Sequence, residues 1–428
     1  MRIVKKPVKF QGISWRRIAL LVHRYVGLVM VLFLVTAGLT GTIITFQEEL
    51  DEWLNPKLFH IAEAERHLPN LDPFDFRVQV ERQLPPGGTF NDVYFNVDGR
   101  RTKKIWVKEQ PDQWSEWFMS PKTGLKVGSR TWADLSEGKV NLITFLYRFH
   151  YSLGLGDVGI VIFGVIALLW SFDCFVGAYL TFPQNFQDRK SKKSFVVRWL
   201  PAWFLRTKQL FSLVFTWHRA SGLWVWALLF VFAWSGVGFN LRPIYRPVMS
   251  ALTGMQLEAY ELLPQRTPPF SKPELSFQKA RELARKEMAR EAQQRGFSIE
   301  REVQLNYSEE RGTFSYVVAS SFDISPRFPG TEVYLDGNGQ FLHFSAPSGI
   351  HVGNTISNWL VYLHLGAVFG LWYRLVVALV GLVVVGLSIT GVWIWWRKRA
   401  KSTARSRAQS SLSLPVKAHR PSRSHVEI

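Results

Sequence analysis

Hydrophobicity along the chain alternates on a coarse scale. Four long apolar stretches, residues 17–46, 157–182, 210–240 and 369–396, are separated by polar segments of unequal length. Crossing a hydrocarbon core of ~30 Å takes about 20 apolar residues in a helix, and each stretch meets that length. The pattern predicts a membrane α-helical bundle with four main transmembrane helices. Between the spans the period changes. PELSFQKARELARKEMAREAQQ, residues 273–294, repeats apolar positions at helical spacing, and IEREVQLNY, TFSYVVASSF, TEVYLDGNG and QFLHFS alternate as strands do, with DGNG as a hairpin turn. FDFRVQVERQL, residues 74–84, predicts a shorter helix ahead of TFNDVYFNVDG, TKKIWVKE and WFMSPKTGLKVG. These segments read as two small α+β modules inserted between spans.

The organisation that follows is an N-terminal segment 1–16, a first span 17–46, a first insert 47–140, and an outer segment with the second span 141–182. A loop 183–209, a third span 210–240, a second insert 241–357, an outer segment with the fourth span 358–396, and a tail 397–428 complete it. The tail, rich in Ser, Arg and Lys, reads as disordered and able to lie against anionic inner-membrane lipid. RIVKKPVK and WRR before the first span, DRKSKK between the second and third, and WWRKRAKSTARSR after the fourth put the basic residues on one side. Cationic flanks stay cytoplasmic, so both termini are expected inside a bacterial inner membrane and both inserts in the periplasm. The formal charge of +19 is mostly this excess, and nucleic acid is not an expected partner. The first apolar run is too long for a cleavable signal and reads as an anchor. A single cysteine, Cys174, can build neither a disulfide framework nor a thiolate cluster.

An internal repeat underlies the spans. His23 and Gly41 are eighteen residues apart, as are His218 and Gly236; His150 and Gly177 are twenty-seven apart, as are His364 and Gly391. Topology sorts the four histidines into two depths, His23 with His218 near the inside and His150 with His364 near the outside. Ionisable groups inside a bilayer are costly and tend to carry function. Two imidazoles facing across a bundle are what a six-coordinate haem iron requires, one on each axial side, whereas zinc or non-haem iron needs three or four converging ligands. Gly27, Gly41, Gly222 and Gly236 serve either to admit a flat macrocycle or to let helices pack closely. Arg24 and Arg219 adjoin the inner histidines and reach either haem propionates or headgroups. His351 is the rival of His364 as the outer ligand. Asp173 lies within the second span, and the tail histidines His419 and His425 carry no expected role.

HRYVG at His23, RFHYSLG at His150, WHRASG at His218, YLHLG at His364, and the endings GAYLTFP and GVWIWWR resemble the PepSY-associated transmembrane helix family. The similarity runs over about residues 12–398 and is greatest to iron-regulated members that look like bacterial ferric-siderophore reductases. The resemblance implies an inner-membrane protein with two b-type haems that passes electrons outward to iron held by a periplasmic ferric siderophore. No c-type attachment sequence is present, and no dinucleotide-binding glycine fingerprint, so a cytoplasmic partner or a quinol is the expected electron donor. Periplasmic iron-uptake proteins are further expected partners.

The substrate surface is expected on the outer loops, in TWADLSEGKVN before His150 and SAPSGIHVGNTISNW before His364. Trp132, Phe344, His351 and Trp359 are its candidate residues. One-electron reduction of a bulky chelate asks for close approach rather than a nucleophilic triad. Competing readings are a haem-based electron carrier for a periplasmic redox partner, a transport protein, and a PepSY regulator.

Overall fold

The computed structural model describes residues 14–110, 113–183, 193–257, 259–263 and 272–412. Most of the N-terminal segment, most of DRKSKK, and the tail from residue 413 with His419 and His425 lie outside the described residues. The long apolar runs form helices: α1 (Trp15–Ile44), α5 (Gly156–Thr181) and α12 (Gly370–Leu412). Each contains a stretch long and apolar enough to cross a membrane. Val29 and Leu32 on α1 are 60% and 71% exposed, a surface that water would penalise and lipid would not.

The third span departs from the expected single helix. It is broken into α7 (Leu210–Trp224) and α8 (Trp226–Asn240), the backbone leaving helical geometry at Val225. Three helices are therefore long enough to cross, and the broken pair makes a fourth span if counted as one. No proline is involved. Ser221, whose hydroxyl donates to the Trp217 carbonyl one turn back, adjoins Gly222, and Gly/Ser pairs with such back-bonding are a common cause of helix breaks. A second departure concerns the tail: α12 continues past residue 396 to Leu412, because KSTARSRAQSS is rich in helix-forming Ala, Arg, Lys and Gln and has no Gly or Pro.

The chain divides into two compact units, one of residues 1–31, 176–224 and 386–428, the other of residues 32–175 and 225–385. In the first, α6 (Phe195–Trp199) is held by aromatic contacts of Trp199 with Phe182 and Trp203 and by its indole N–H donating to Thr181 Oγ1.

The second unit holds both inserts. The first contains α2 (Gln47–Leu54) and α3 (Pro73–Glu81), the latter capped by Asp72, whose carboxylate accepts from the Phe74 N–H. Its strands β2 (Lys103–Gln110), β3 (Gln113–Met119) and β4 (Lys126–Thr131) form an antiparallel sheet in that order. Phe76 and Val80 of α3 pack on Ile105, Val107, Trp117 and Met119. The other insert adds α9 (Arg242–Thr253), α10 (Phe277–Arg295), and strands β5 (Ile299–Ser308), β6 (Thr313–Ser320), β7 (Thr331–Asp336) and β8 (Phe341–Ser345).

The inserts are not two separate modules. Strand β1 (Asp92–Tyr94), from the first insert, pairs antiparallel with β5 and completes a five-stranded sheet ordered β1-β5-β6-β7-β8. Left bare, β5 would present an unpaired edge. Asp92 accepts hydrogen bonds from the Gln304 and Asn306 side chains, and Val93 enters the core that Ala280, Ala284 and Met288 of α10 close.

Two short helices lead from the inserts into spans. Helix α4 (Leu142–Ser152) ends at Leu153 in left-handed geometry, followed by Gly154 and Gly156 at φ 70° and 56°. Helix α11 (Val352–His364) ends at the histidine itself, before Gly366 and Gly370 at φ 63° and 67°. Glycine adopts such angles without the clash a side chain would meet, so each short helix is set off from its span by a tight turn.

The entry to α4 is clamped by a buried charge cluster. Arg130 of β4 is 2% exposed; its Nη1 and Nη2 donate to Asp51 of α2 at 2.9 and 2.6 Å, its Nε to Glu116 at 2.6 Å, and Nη1 also to the Val140 carbonyl at 2.7 Å. Burial by itself would weaken the hold of Arg130 on its proton; the hydrogen bonds it donates to Asp51 and the negative charge of neighbouring Glu116 more than reverse that. Asn55 joins Asp51 to the same Val140 carbonyl.

Candidate cofactor site: two facing histidine pairs

In the first unit His23 of α1 and His218 of α7 face each other with ring centres 6.2 Å apart and planes at 67°. In the second, His150 of α4 and His364 of α11 stand 6.4 Å apart at 82°. Two imidazole nitrogens each about 2 Å from one metal ion would put the ring centres roughly 6 Å apart, so both pairs have the spacing of an axially bound ion. Phe232 and Phe239 flank the His364 ring at 5.1 and 5.3 Å.

The proton positions on three of the rings follow from hydrogen-bond accounting. Thr40 Oγ1 lies 2.9 Å from His150 Nδ1, Ser235 Oγ 2.6 Å from His364 Nδ1, and Thr390 Oγ1 2.9 Å from His218 Nδ1. Each hydroxyl also donates one turn back along its own helix, to the carbonyls of Thr36, Val231 and Gly386 respectively. A hydroxyl has one proton, so with that proton committed it can only accept from the ring. Nδ1 therefore carries the hydrogen, and Nε2 keeps a bare lone pair, the form in which a neutral imidazole binds a metal.

Three of the four glycines of the repeat sit against the rings. A Cβ at Gly41 would come 3.0 Å from His150 Cε1; at Gly177 it would be 3.4 Å from His23 Cε1, and at Gly391 3.4 Å from His218 Cε1. These three make room for imidazole itself. The remaining glycines divide: Gly236 packs against Ala167, Gly222 meets only Leu387 at ordinary distance, and a Cβ at Gly27 would meet nothing.

The sequence does carry a signal for these hydroxyls, which the histidine spacing by itself does not single out. The residue before each glycine of the repeat is Thr40, Val176, Ser235 or Thr390, a hydroxyl at three of four positions.

Of the other expected site residues, Arg219 donates to the Pro201 and Ala202 carbonyls, which places it as a brace for the segment after α6 rather than as a group aimed at a cofactor. Arg24 is half-buried one residue after His23. His351 is exposed at the start of α11, where its carbonyl accepts from Thr355; the ring that faces His150 is that of His364. Phe344 is 6% exposed and stacked on Phe297 in the sheet core, so it does not line a surface; its alternation on β8 turns it inward. Trp359 is 37% exposed and stacks on Phe369. Trp132 packs edge-on against Tyr147 and lines a cleft of about 340 Å³ with Asp134, Leu135, Phe145 and Arg148. Phe145 and Arg148 belong to α4, the helix that carries His150. Among the described residues no group of three or more His, Cys, Asp or Glu side chains is placed to hold a metal ion.

The model of the PepSY-associated TM region matches residues 20–398, a range that includes both histidine pairs. The chain belongs to the PepSY-associated TM family. It is thus a multi-pass PepSY-family membrane protein whose long apolar helices are interrupted by two β-containing, PepSY-like inserts. No curated protein matches the chain.

Proposed function

We propose that this PepSY-family protein is an inner-membrane reductase that holds two b-type haems and passes electrons outward to iron(III) in a periplasmic ferric siderophore, releasing Fe(II). The observation that carries the reading is the pair of facing imidazoles in each unit, three of whose rings have Nδ1 occupied by a hydroxyl and Nε2 left as a ligand nitrogen. His23 and His218 would hold one haem, His150 and His364 the other. A haem at each pair supplies reversible one-electron chemistry. Thr40, Ser235 and Thr390 orient the rings and keep the ligand tautomer, and Phe232 and Phe239 exclude water beside His364.

The basic flanks support an orientation with the inserts in the periplasm. The cleft formed by Trp132, Phe145 and Arg148 then lies on the periplasmic side, on the helix of an outer ligand, where a bulky chelate can approach. No proton transfer by a side chain is required of the site.

The test is direct. Purified protein, prereduced and freed of reductant, is mixed with hydroxamate and catecholate ferric siderophores beside a chromogenic Fe(II) trap. Reoxidation with matching Fe(II) capture is expected, and His150→Ala should abolish it. A two-haem protein that reduces no member of the panel yet rapidly reduces a periplasmic redox protein would make the chain an electron carrier instead.

The hydroxyls give a second prediction. Thr40→Val and Thr390→Val keep the side-chain shape but remove the acceptor for Nδ1–H, and outer partners of this kind are worth on the order of 10–100-fold in affinity. Each variant should lose haem from its own site on dilution or competition with apomyoglobin by about that factor. Unchanged retention in both would remove the tautomer argument.

A further inference from the structure

The compact unit that contains His23 and His218 is almost devoid of acid. Its segments 1–31, 176–224 and 386–428 contain 24 Lys and Arg but only two Asp and Glu, Asp188 and Glu427, whereas the rest of the chain has 28 against 31. Membrane topology explains the cations but not the missing carboxylates, because orientation is set by Lys and Arg and is nearly indifferent to Asp and Glu. A unit from which nearly every carboxylate is missing is what selection for an acidic partner leaves, since each carboxylate there would repel it.

The described cations sit where a partner of the inner site would arrive. Arg17 at the start of α1, Arg206 and Lys208 just before α7, and Arg397 and Lys398 on α12 are all exposed. Aromatic faces steady some of them: Arg397 lies 5.3 Å from the Trp393 ring centre and Lys398 5.2 Å from that of Phe215, on the helix that carries His218. Anionic lipid is the alternative occupant, but the basic run goes further than a bilayer reaches. Helix α12 continues sixteen residues beyond Trp396 and includes Lys401, Arg405 and Arg407. That is roughly 24 Å of helix, against a screening length of ~8 Å for the headgroup field.

We propose that this unit is the docking surface for a small acidic redox protein, a flavin or iron–sulfur carrier, that supplies the electrons to the His23–His218 site. The proposal rests on the di-haem reading and orientation given above, and it selects a soluble protein over a neutral quinol as donor. Each docking event oxidises the carrier by one electron and reduces the inner site by one, with no bond made or broken and no proton required to move. Charge complementarity speeds such encounters by on the order of 10-fold or more at low salt and loses the advantage as salt rises.

The experiment uses full-length, haem-loaded protein in nanodiscs of zwitterionic phosphatidylcholine, with prereduced flavodoxin, an acidic carrier, as the probe. Electron entry should slow on the order of tenfold between about 0.02 M and about 0.5 M NaCl. The double variant Arg397→Glu/Lys398→Glu should slow it by a similar factor at low salt, with haem content and spectrum unchanged. A rate insensitive to both salt and the variant, with faster reduction by duroquinol, would overturn the proposal in favour of a quinol. An effect seen only when anionic lipid is added would assign the surface to the membrane. Salt-sensitive retention of oxidised flavodoxin on the immobilised protein is read in parallel. Because that binding needs neither haem nor siderophore, it separates a failure of docking from a failure of the functional reading.

Discussion

Substitution of His364 by alanine is expected to remove one of two haems from the purified protein, leaving about half the haem per chain, and His150→Ala is expected to remove the same spectral component. The two rings face each other at 6.4 Å within one unit, so neither is expected to hold a six-coordinate ion without the other. His23→Ala and His218→Ala should each remove the other component, because those rings form their own pair at 6.2 Å in the other unit. His351→Ala should change neither, being exposed at the start of α11. Haem quantification with reduced-minus-oxidised spectra of the five variants reads all of this at once. If His150→Ala and His364→Ala disturb different components, the pairing is wrong; if wild-type protein binds no haem, so is the cofactor.

The largest effect on stability is expected at Arg130. Its alanine variant leaves Asp51 and Glu116, 5% and 1% exposed, without their shared cation, and breaking a buried pair in this way costs about 3–5 kcal/mol. Lys104, 3.3 Å from Glu116 and half-exposed, cannot reach both carboxylates as the guanidinium fork does. Because Arg130 and Asn55 both bond the Val140 carbonyl, two residues before α4 begins, the loss should spread to the helix that carries His150. Hydrogen exchange on the full chain should show lost protection in β3, β4 and the first turn of α4, with the core of Phe277, Phe314 and Leu335 spared. Uniform protection equal to wild type would mean that the cluster contributes little.

The long apolar runs, the strand-forming segments and the four histidines were readable from the chain, because each is written in local pattern: apolar runs of spanning length, alternation with turn residues, and a repeat with equal intervals in both halves. The pairing of His23 with His218 and of His150 with His364 was also reachable, since the alternation of spans along the chain sorts the histidines two and two. What tertiary structure decided is of another kind. The break at Val225 has no proline to announce it. The transfer of β1 into the sheet of the other insert depends on which edge is open, a property of the assembled sheet rather than of the segment DVY. Phe344 reads as a surface aromatic in sequence because residues near a histidine loop look alike there, and only the facing helix α10 shows that side of β8 to be core. The hydroxyls of Thr40, Ser235 and Thr390 are the clearest case. A threonine before a glycine in an apolar helix is ordinary in one dimension, and it becomes the acceptor that sets a histidine tautomer only when a helix from elsewhere in the chain brings the ring to within hydrogen-bonding distance. Short-range preferences specify elements because their energies are local; the geometry of the facing histidines comes from contacts more than a hundred residues apart, which no local pattern encodes.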